Sequence, residues 1–144
     1  MILLDTDHFS VVTDGRHQAH AQLAVRLQSC GETLTLPVVS VEEQLRGWLA
    51  QIRRQTDVSR QIYPYDRLMR LLDILGDWEI ARWGQPAAEQ FQGLRKRRVR
   101  IGTQDLKIAA IAMVHDALLL SANLRDFEQV PGLRVEDWIY SRST

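Results

Sequence analysis

The sequence predicts a doubly wound α/β fold: a mostly parallel sheet with helices on both faces, in one domain covering residues 1–144. Short, wholly apolar runs at Met1-Ile2-Leu3-Leu4 and Ala117 to Ser121 are too brief for helices and read as buried strands. Longer stretches with apolar residues at helical spacing alternate with them. Acidic residues stand where such a fold gathers ligands, at strand ends and in first helical turns: Asp5, Glu43 and Asp105.

The elements follow in order. Residues 1 to 4 form a strand stopped by Asp5-Thr6-Asp7, and Asp7 caps the turn that follows. Ala21, Leu23, Ala24 and Leu27 recur at helical spacing between His17 and Gln28, and Cys30-Gly31 closes that helix. Thr33 to Val39 is β-branched and apolar and predicts a second strand, with Pro37 favouring an edge or a strand end. Ser40 then caps a helix that carries Leu45, Trp48, Leu49 and Ile52 on one face.

A further helix covers Arg60 to Leu75, with Pro64 near its start and Leu68, Met69, Leu71, Leu72 and Leu75 turned inward. Trp78 to Trp83 is compatible with a short strand, and Pro86 in a first turn starts a helix through Arg97. Thr103 caps a helix whose Leu106, Ile108, Ala109, Ile111, Ala112 and Val114 make it nearly all apolar, so it should be buried. Leu133 to Val135 adds an edge strand before Trp138.

Composition excludes several classes. The chain has 45% hydrophobic residues, enough for a real core, and 18 basic against 18 acidic residues, so no global field draws it to nucleic acid or an anionic membrane. Any basic surface is local, and Arg95-Lys96-Arg97-Arg98-Val99-Arg100 is the one dense run. It is either a solvated helix end or a track for phosphates; nearly all the cations are arginine, which suits bidentate phosphate contacts. A single Cys30, no Cys/His spacing for zinc, and no leader or long apolar span lead to the expectation of a cytoplasmic protein with no membrane partner.

Carboxylates from separate segments that converge make a hard, oxygen-only site suited to Mg²⁺, with Mn²⁺ as an alternative. Each acid also has a plainer explanation. Ser40-Val41-Glu42-Glu43 is a capping box in which Glu43 returns a hydrogen bond to Ser40. Asp105, two residues after Thr103, complements a helix dipole. Asp5 is harder to explain away, because a carboxylate directly after an apolar strand needs a partner or a metal. His8, His17, His20 and His115 are scattered and read as surface or helix-end residues.

The stretches MILLDTDHFS, VSVEEQLRG, RIGTQDLKIAAIA and LLLSANLRDFEQVPGLRVEDW, in this order, resemble the PIN-domain ribonucleases, specifically the VapC-type toxins of toxin-antitoxin pairs. The resemblance covers almost the whole chain except roughly residues 51 to 92, which carry no diagnostic motif. It implies a PIN-like three-layer α/β/α sandwich, RNA as substrate, a small antitoxin protein as partner, and a homodimer. By resemblance Asp5 matches the family's first acid, Glu43 the acid four residues before the glycine (here Gly47), and Asp105 the acid opening the IAA helix. Asn123 falls where many members carry a fourth acid and others asparagine.

Asn123 offers a neutral oxygen, so a second cation would be held less tightly. Asp126 either turns inward to compensate or is a turn aspartate beside Phe127, and the turn reading is favoured. The expected catalytic set is therefore Asp5, Glu43, Asp105 and Asn123, with Asp5, Asp105 and Glu43 as metal ligands, Glu43 orienting the attacking water and Ser121 trimming the inner or second shell. Leu45, Trp48, Leu49 and Ile52, with the Arg60 to Leu75 helix, are expected to form the antitoxin groove or to complete the core.

Two other functions compete with the nuclease. One is a non-catalytic PIN-like module that only holds RNA or protein. The other, ranked well below, is a haloacid-dehalogenase-like phosphatase using Asp5-Thr6-Asp7, against which Phe9 stands where that motif has Thr or Val.

Overall fold

The computed structural model describes residues 1–140. Its elements run β1 (Ile2–Leu4), α1 (Thr6–Thr13), α2 (His20–Ser29), β2 (Leu34–Pro37), α3 (Val38–Arg54), a 3-10 turn (Val58–Gln61), α4 (Ile62–Leu75), β3 (Glu79–Ala81), α5 (Gln85–Lys96), α6 (Thr103–Val114), β4 (Leu118–Leu120), α7 (Leu124–Phe127) and β5 (Arg134–Glu136). The five strands pair in the order β3-β2-β1-β4-β5, and every pairing is parallel.

Alternation along each strand builds two cores. Leu3 of β1 and Leu119 of β4 face a cluster with Leu94 of α5, Leu106, Ile108 and Ile111 of α6, and Phe127 of α7. Ile2 and Leu4, one residue to either side, face Phe9 and Val11 of α1, Leu23 and Leu27 of α2, and Leu71 and Leu75 of α4. A strand buried on both sides has no polar face, which is why β1 and β4 read as unbroken apolar runs. The expected three-layer α/β/α sandwich is what this chain forms, with a sheet that is parallel throughout the described residues.

Several local expectations fail, each for a physical reason. Where a turn was expected after Asp7 the chain forms α1: Thr, Asp, Ser and Val are weak helix formers, but Asp5 caps the helix by accepting from the Thr6 N–H at 2.8 Å. Burial of Phe9 and Val11 then outweighs propensity. Pro37 marks a strand end rather than an edge, because β2 lies between β1 and β3 and passes into α3 with no loop. Helix α3 thus begins two residues before Ser40, so Ser40 is not a cap; it is fully buried and its hydroxyl has no hydrogen-bond partner.

Thr103 likewise sits inside α6, whose N-cap is Gly102. Met69 and Leu72 of α4, expected inward, are 65% and 54% exposed, and Val114 at the end of α6 is 40% exposed. No helix among the described residues is long and apolar enough to cross a membrane.

Candidate active site

The strand order reverses at β1: β2 and β3 extend the sheet on one side, β4 and β5 on the other. Crossovers leave the carboxyl ends of β1 and β4 in opposite directions, opening a crevice between them. Asp5 follows β1 directly, and Ser121 follows β4. The β1–β4 register pairs Leu4 with Leu120, and the Asp5 N–H donates to the Leu120 carbonyl at 2.9 Å, so Asp5 and Ser121 arrive side by side. The Ser121 hydroxyl donates to Asp5 Oδ2 at 2.8 Å, while the Asn123 N–H donates to Ser121 Oγ at 3.0 Å.

The other acids come from neighbouring helices. Glu43, in the second turn of α3, does not close a capping box; its Oε2 accepts from the Thr6 hydroxyl at 2.9 Å, which joins α3 to the start of α1. Asp105, in the first turn of α6, accepts from Asn123 Nδ2 at 3.0 Å, and the same amide donates to Asp126 Oδ2 at 3.1 Å. Asp126, expected as a turn residue, therefore stands beside Asp105.

Burial and mutual repulsion disfavour ionisation of all three principal acids. Burial, reinforced by the charge of Asp7 and more weakly by Asp105, pushes the Asp5 carboxyl from 3.8 up to about 6, against the hydrogen bonds from Thr6 and Ser121. Glu43 is raised first by burial and further by Asp105, against the Thr6 hydrogen bond. Asp105 is raised first by burial and then by Asp126 and Asp7, against the Asn123 hydrogen bond. The three carboxylates thus lie within electrostatic reach of one another, as a chain of pairs. Among the described residues, no three His, Cys, Asp or Glu side chains close around a point where they could hold an ion.

Two residues behind the site carry roles that sequence reasoning missed. His8 is fully buried; its Nδ1 stands 2.6 Å from Asp7 Oδ1, and its Nε2 accepts from the Trp138 N–H at 3.0 Å. That arrangement puts the ring proton on Nδ1, donated to Asp7. Asp7 Oδ2 in turn accepts from the Ala122 N–H at 3.0 Å, fixing the backbone between Ser121 and Asn123. Asp7 is therefore not a simple turn cap, and His8 is not a surface histidine. For Asp7 the only sequence signal was its place two residues after Asp5, and His8 carried none, because its partners are brought to it by the fold.

A basic cleft of about 620 Å³ opens beside the acids, lined by Arg95, Arg98, Arg100, Thr103 and Asp126 among others. The basic run does lie at a helix end, as expected: Arg95 and Lys96 close α5.

Comparison with known proteins agrees with this architecture. Residues 2–133 match the profile of the PIN domain. Ribonuclease VapC2 of Haemophilus influenzae is 33% identical over 81 residues, 54% of this chain and 61% of that protein. Ribonuclease VapC1 of Rickettsia felis is 48% identical over 42 residues, 29% of this chain and 31% of the relative. The chain thus spans between about a third and three fifths of these relatives' length.

Among solved structures, DNA-bound VapBC from Salmonella typhimurium superposes with a TM-score of 0.73 at 20% identity, covering 95% of this chain and 97% of the other. VapBC2 from Rickettsia felis, bound to a promoter DNA fragment, gives 0.71 at 22% identity, covering 96% and 99%. These structures share the fold. Since the family profile covers nearly the whole chain, from the first strand to the start of the last, the chain belongs to the PIN domain family.

Proposed function

We propose that this chain is a metal-dependent endoribonuclease of the VapC kind, acting as the toxin of a toxin-antitoxin pair. The observation that supports the reading is that Asp105 lies within electrostatic reach of both Asp5 and Glu43, three acids from different elements near the sheet's switch point whose charge burial opposes. The names of the VapC relatives support the substrate class. Carboxylates that resist ionisation without a counter-ion are suited to a cation.

The donor set fits magnesium, or manganese in its place. Magnesium keeps several waters and is held through one or two carboxylates rather than a complete protein cage, which suits acids tied in pairs. Asp5 and Asp105 would be its principal ligands, with Glu43 beside them. When bound, the cation offsets negative charge on the scissile phosphate and on the transition state.

The chain's own groups do the rest. Glu43, whose Oε2 accepts from the Thr6 hydroxyl, takes a proton from the attacking water. The water oxygen bonds to phosphorus, one ester P–O bond breaks, and the leaving oxygen takes a proton from solvent. Asn123 bridges Asp105 and Asp126 through one amide, and Ser121 orients Asp5.

The test is cleavage of a mixed RNA pool by the native chain and by Asp5→Asn. Magnesium-dependent cutting that stops with chelator and falls roughly 100-fold or more in the variant is expected. Equal activity in both would remove Asp5 from the site. A non-catalytic RNA- or protein-binding module is the second reading, and the neutral Asn123 amide standing between Asp105 and Asp126, where a further acid would strengthen cation binding, favours it. Absence of cutting under all metal conditions would select it.

The partner reading rests on exposed apolar side chains. Leu49 of α3 and Ile62, Tyr65, Met69 and Leu72 of α4 are each at least half exposed, although Ile52 is buried in the core. An antitoxin helix with apolar residues at helical spacing would cover such a surface, as the VapBC complexes among the structural matches suggest. Assembly of two copies is expected as well, and sedimentation of the purified chain measures it.

A further inference from the structure

We propose that the cleft formed by Arg95, Arg98 and Arg100 binds a backbone phosphate of single-stranded RNA, next to the one that is cut. The inference deepens the nuclease reading and rests on it for the identity of the polymer. Three observations carry it.

The first is unspent charge. In a chain with 18 basic and 18 acidic residues, five cations crowd positions 95–100. Among the described residues none of them lies within ion-pair distance of a carboxylate, whereas Arg16, Arg46 and Arg134 each do. The Arg95 guanidinium lies over the ring of Phe91, 4.8 Å from its centroid.

The second is placement. Asp126 also lines the cleft, and its carboxylate shares the Asn123 amide with Asp105. A polymer phosphate among the arginines is thereby adjacent to the acids, and guanidinium forks match phosphate oxygens bidentately.

The third is a backbone conformation that arginine disfavours. The chain leaves α5 through a Schellman turn: the Arg98 N–H donates to the Arg95 carbonyl at 2.9 Å and the Val99 N–H to the Leu94 carbonyl at 3.1 Å. Arg98 occupies the left-handed position of this turn, with φ 62°, where glycine is the usual residue. An arginine held there against its preference, with its side chain lining the cleft, is placed for its guanidinium rather than for the turn.

The same position supplies the test, because Arg98→Gly removes the charge and relaxes the turn together. Binding of a labelled single-stranded RNA of about 12 nucleotides is measured in chelator, so that no cutting occurs, across a range of salt. Arg134→Gln, which changes one charge at the amino edge of β5, is the control.

Arg98→Gly is expected to bind about fivefold more weakly at 0.1 M salt, with a salt slope shallower by about 0.7, and to melt at the same temperature or higher. The control should bind like the native chain. Native-like binding by both Arg98→Gly and the double variant Arg98→Gly/Arg100→Gln overturns the cleft, while magnesium-dependent cutting by those variants would leave the nuclease reading intact. Weakened binding in a chain that cuts no RNA supports the cleft and removes the nuclease. Competition by polyglutamate as strong as by RNA also overturns the proposal, making an acidic peptide the ligand.

Discussion

Replacing Asp5 by asparagine should make the folded chain more stable at neutral pH when no divalent cation is present. The Asp5 carboxyl is 7% exposed and its pKa rises from 3.8 to about 6 on folding, chiefly through burial and then through the charge of Asp7. At about 1.4 kcal/mol per pH unit, ionising it in the fold costs about 3 kcal/mol more than in the unfolded chain. The folded state holds this proton more tightly, so the stability it contributes is complete below about pH 4 and is lost as pH rises through about 6.

Asparagine is neutral throughout that range. It offers one acceptor where the carboxylate takes both the Thr6 N–H and the Ser121 hydroxyl, so part of the gain is given back and about 1–2 kcal/mol should remain. Urea denaturation in chelator at pH 7 and at pH 4 measures it: the variant should be the more stable at pH 7, and the difference should vanish or reverse at pH 4. A variant less stable at pH 7, or a difference that ignores pH, would refute the claim that Asp5 is held ionised against its surroundings.

Asp105→Asn should abolish cutting while leaving the melting midpoint unchanged or slightly higher, because it relieves repulsion from Asp126 and Asp7; a large fall in the midpoint would show a structural aspartate instead. Ser40→Ala should not destabilise the chain, since the buried hydroxyl has no partner; a loss of about 0.5–2 kcal/mol in denaturation would restore the helix cap expected from sequence. His8→Leu should cost about 1–3 kcal/mol, as it leaves the Trp138 N–H without its acceptor while Asp7 Oδ1 keeps the backbone N–H of residue 8, and hydrogen exchange at Trp138 should quicken; native-like exchange there would refute the buried link.

The fold was legible where burial is two-sided. MILL and ALLLS could only be strands, and the apolar helix after Gly102 could only be buried, so the sheet's centre and its acidic edge followed from pattern alone. Asp5 and Asn123 could be placed after strands and Asp105 at a helix start from the pattern alone, whereas Glu43, expected in a first turn, lies in the second turn of α3. What stayed hidden depends on tertiary contact. The α1 helix is built from weak helix formers and exists through an aspartate cap and the burial of Phe9. The capping box was misread for the opposite reason: a direct passage from β2 into α3 moves the helix start ahead of Ser40 and frees Glu43 to reach Thr6, 37 residues away in sequence. His8 carried no sequence sign of burial, because its partners are Asp7 and a backbone group 130 residues downstream.

Crystals grown with Mn²⁺ and measured at an anomalous wavelength would test the central claim most directly. The account predicts one strong peak at the carboxyl ends of β1 and β4, with oxygens of Asp5 and Asp105 about 2.1 Å from it and waters completing the shell. A manganese ion bound elsewhere with this crevice empty, or a peak there that persists unchanged in Asp5→Asn, would contradict it.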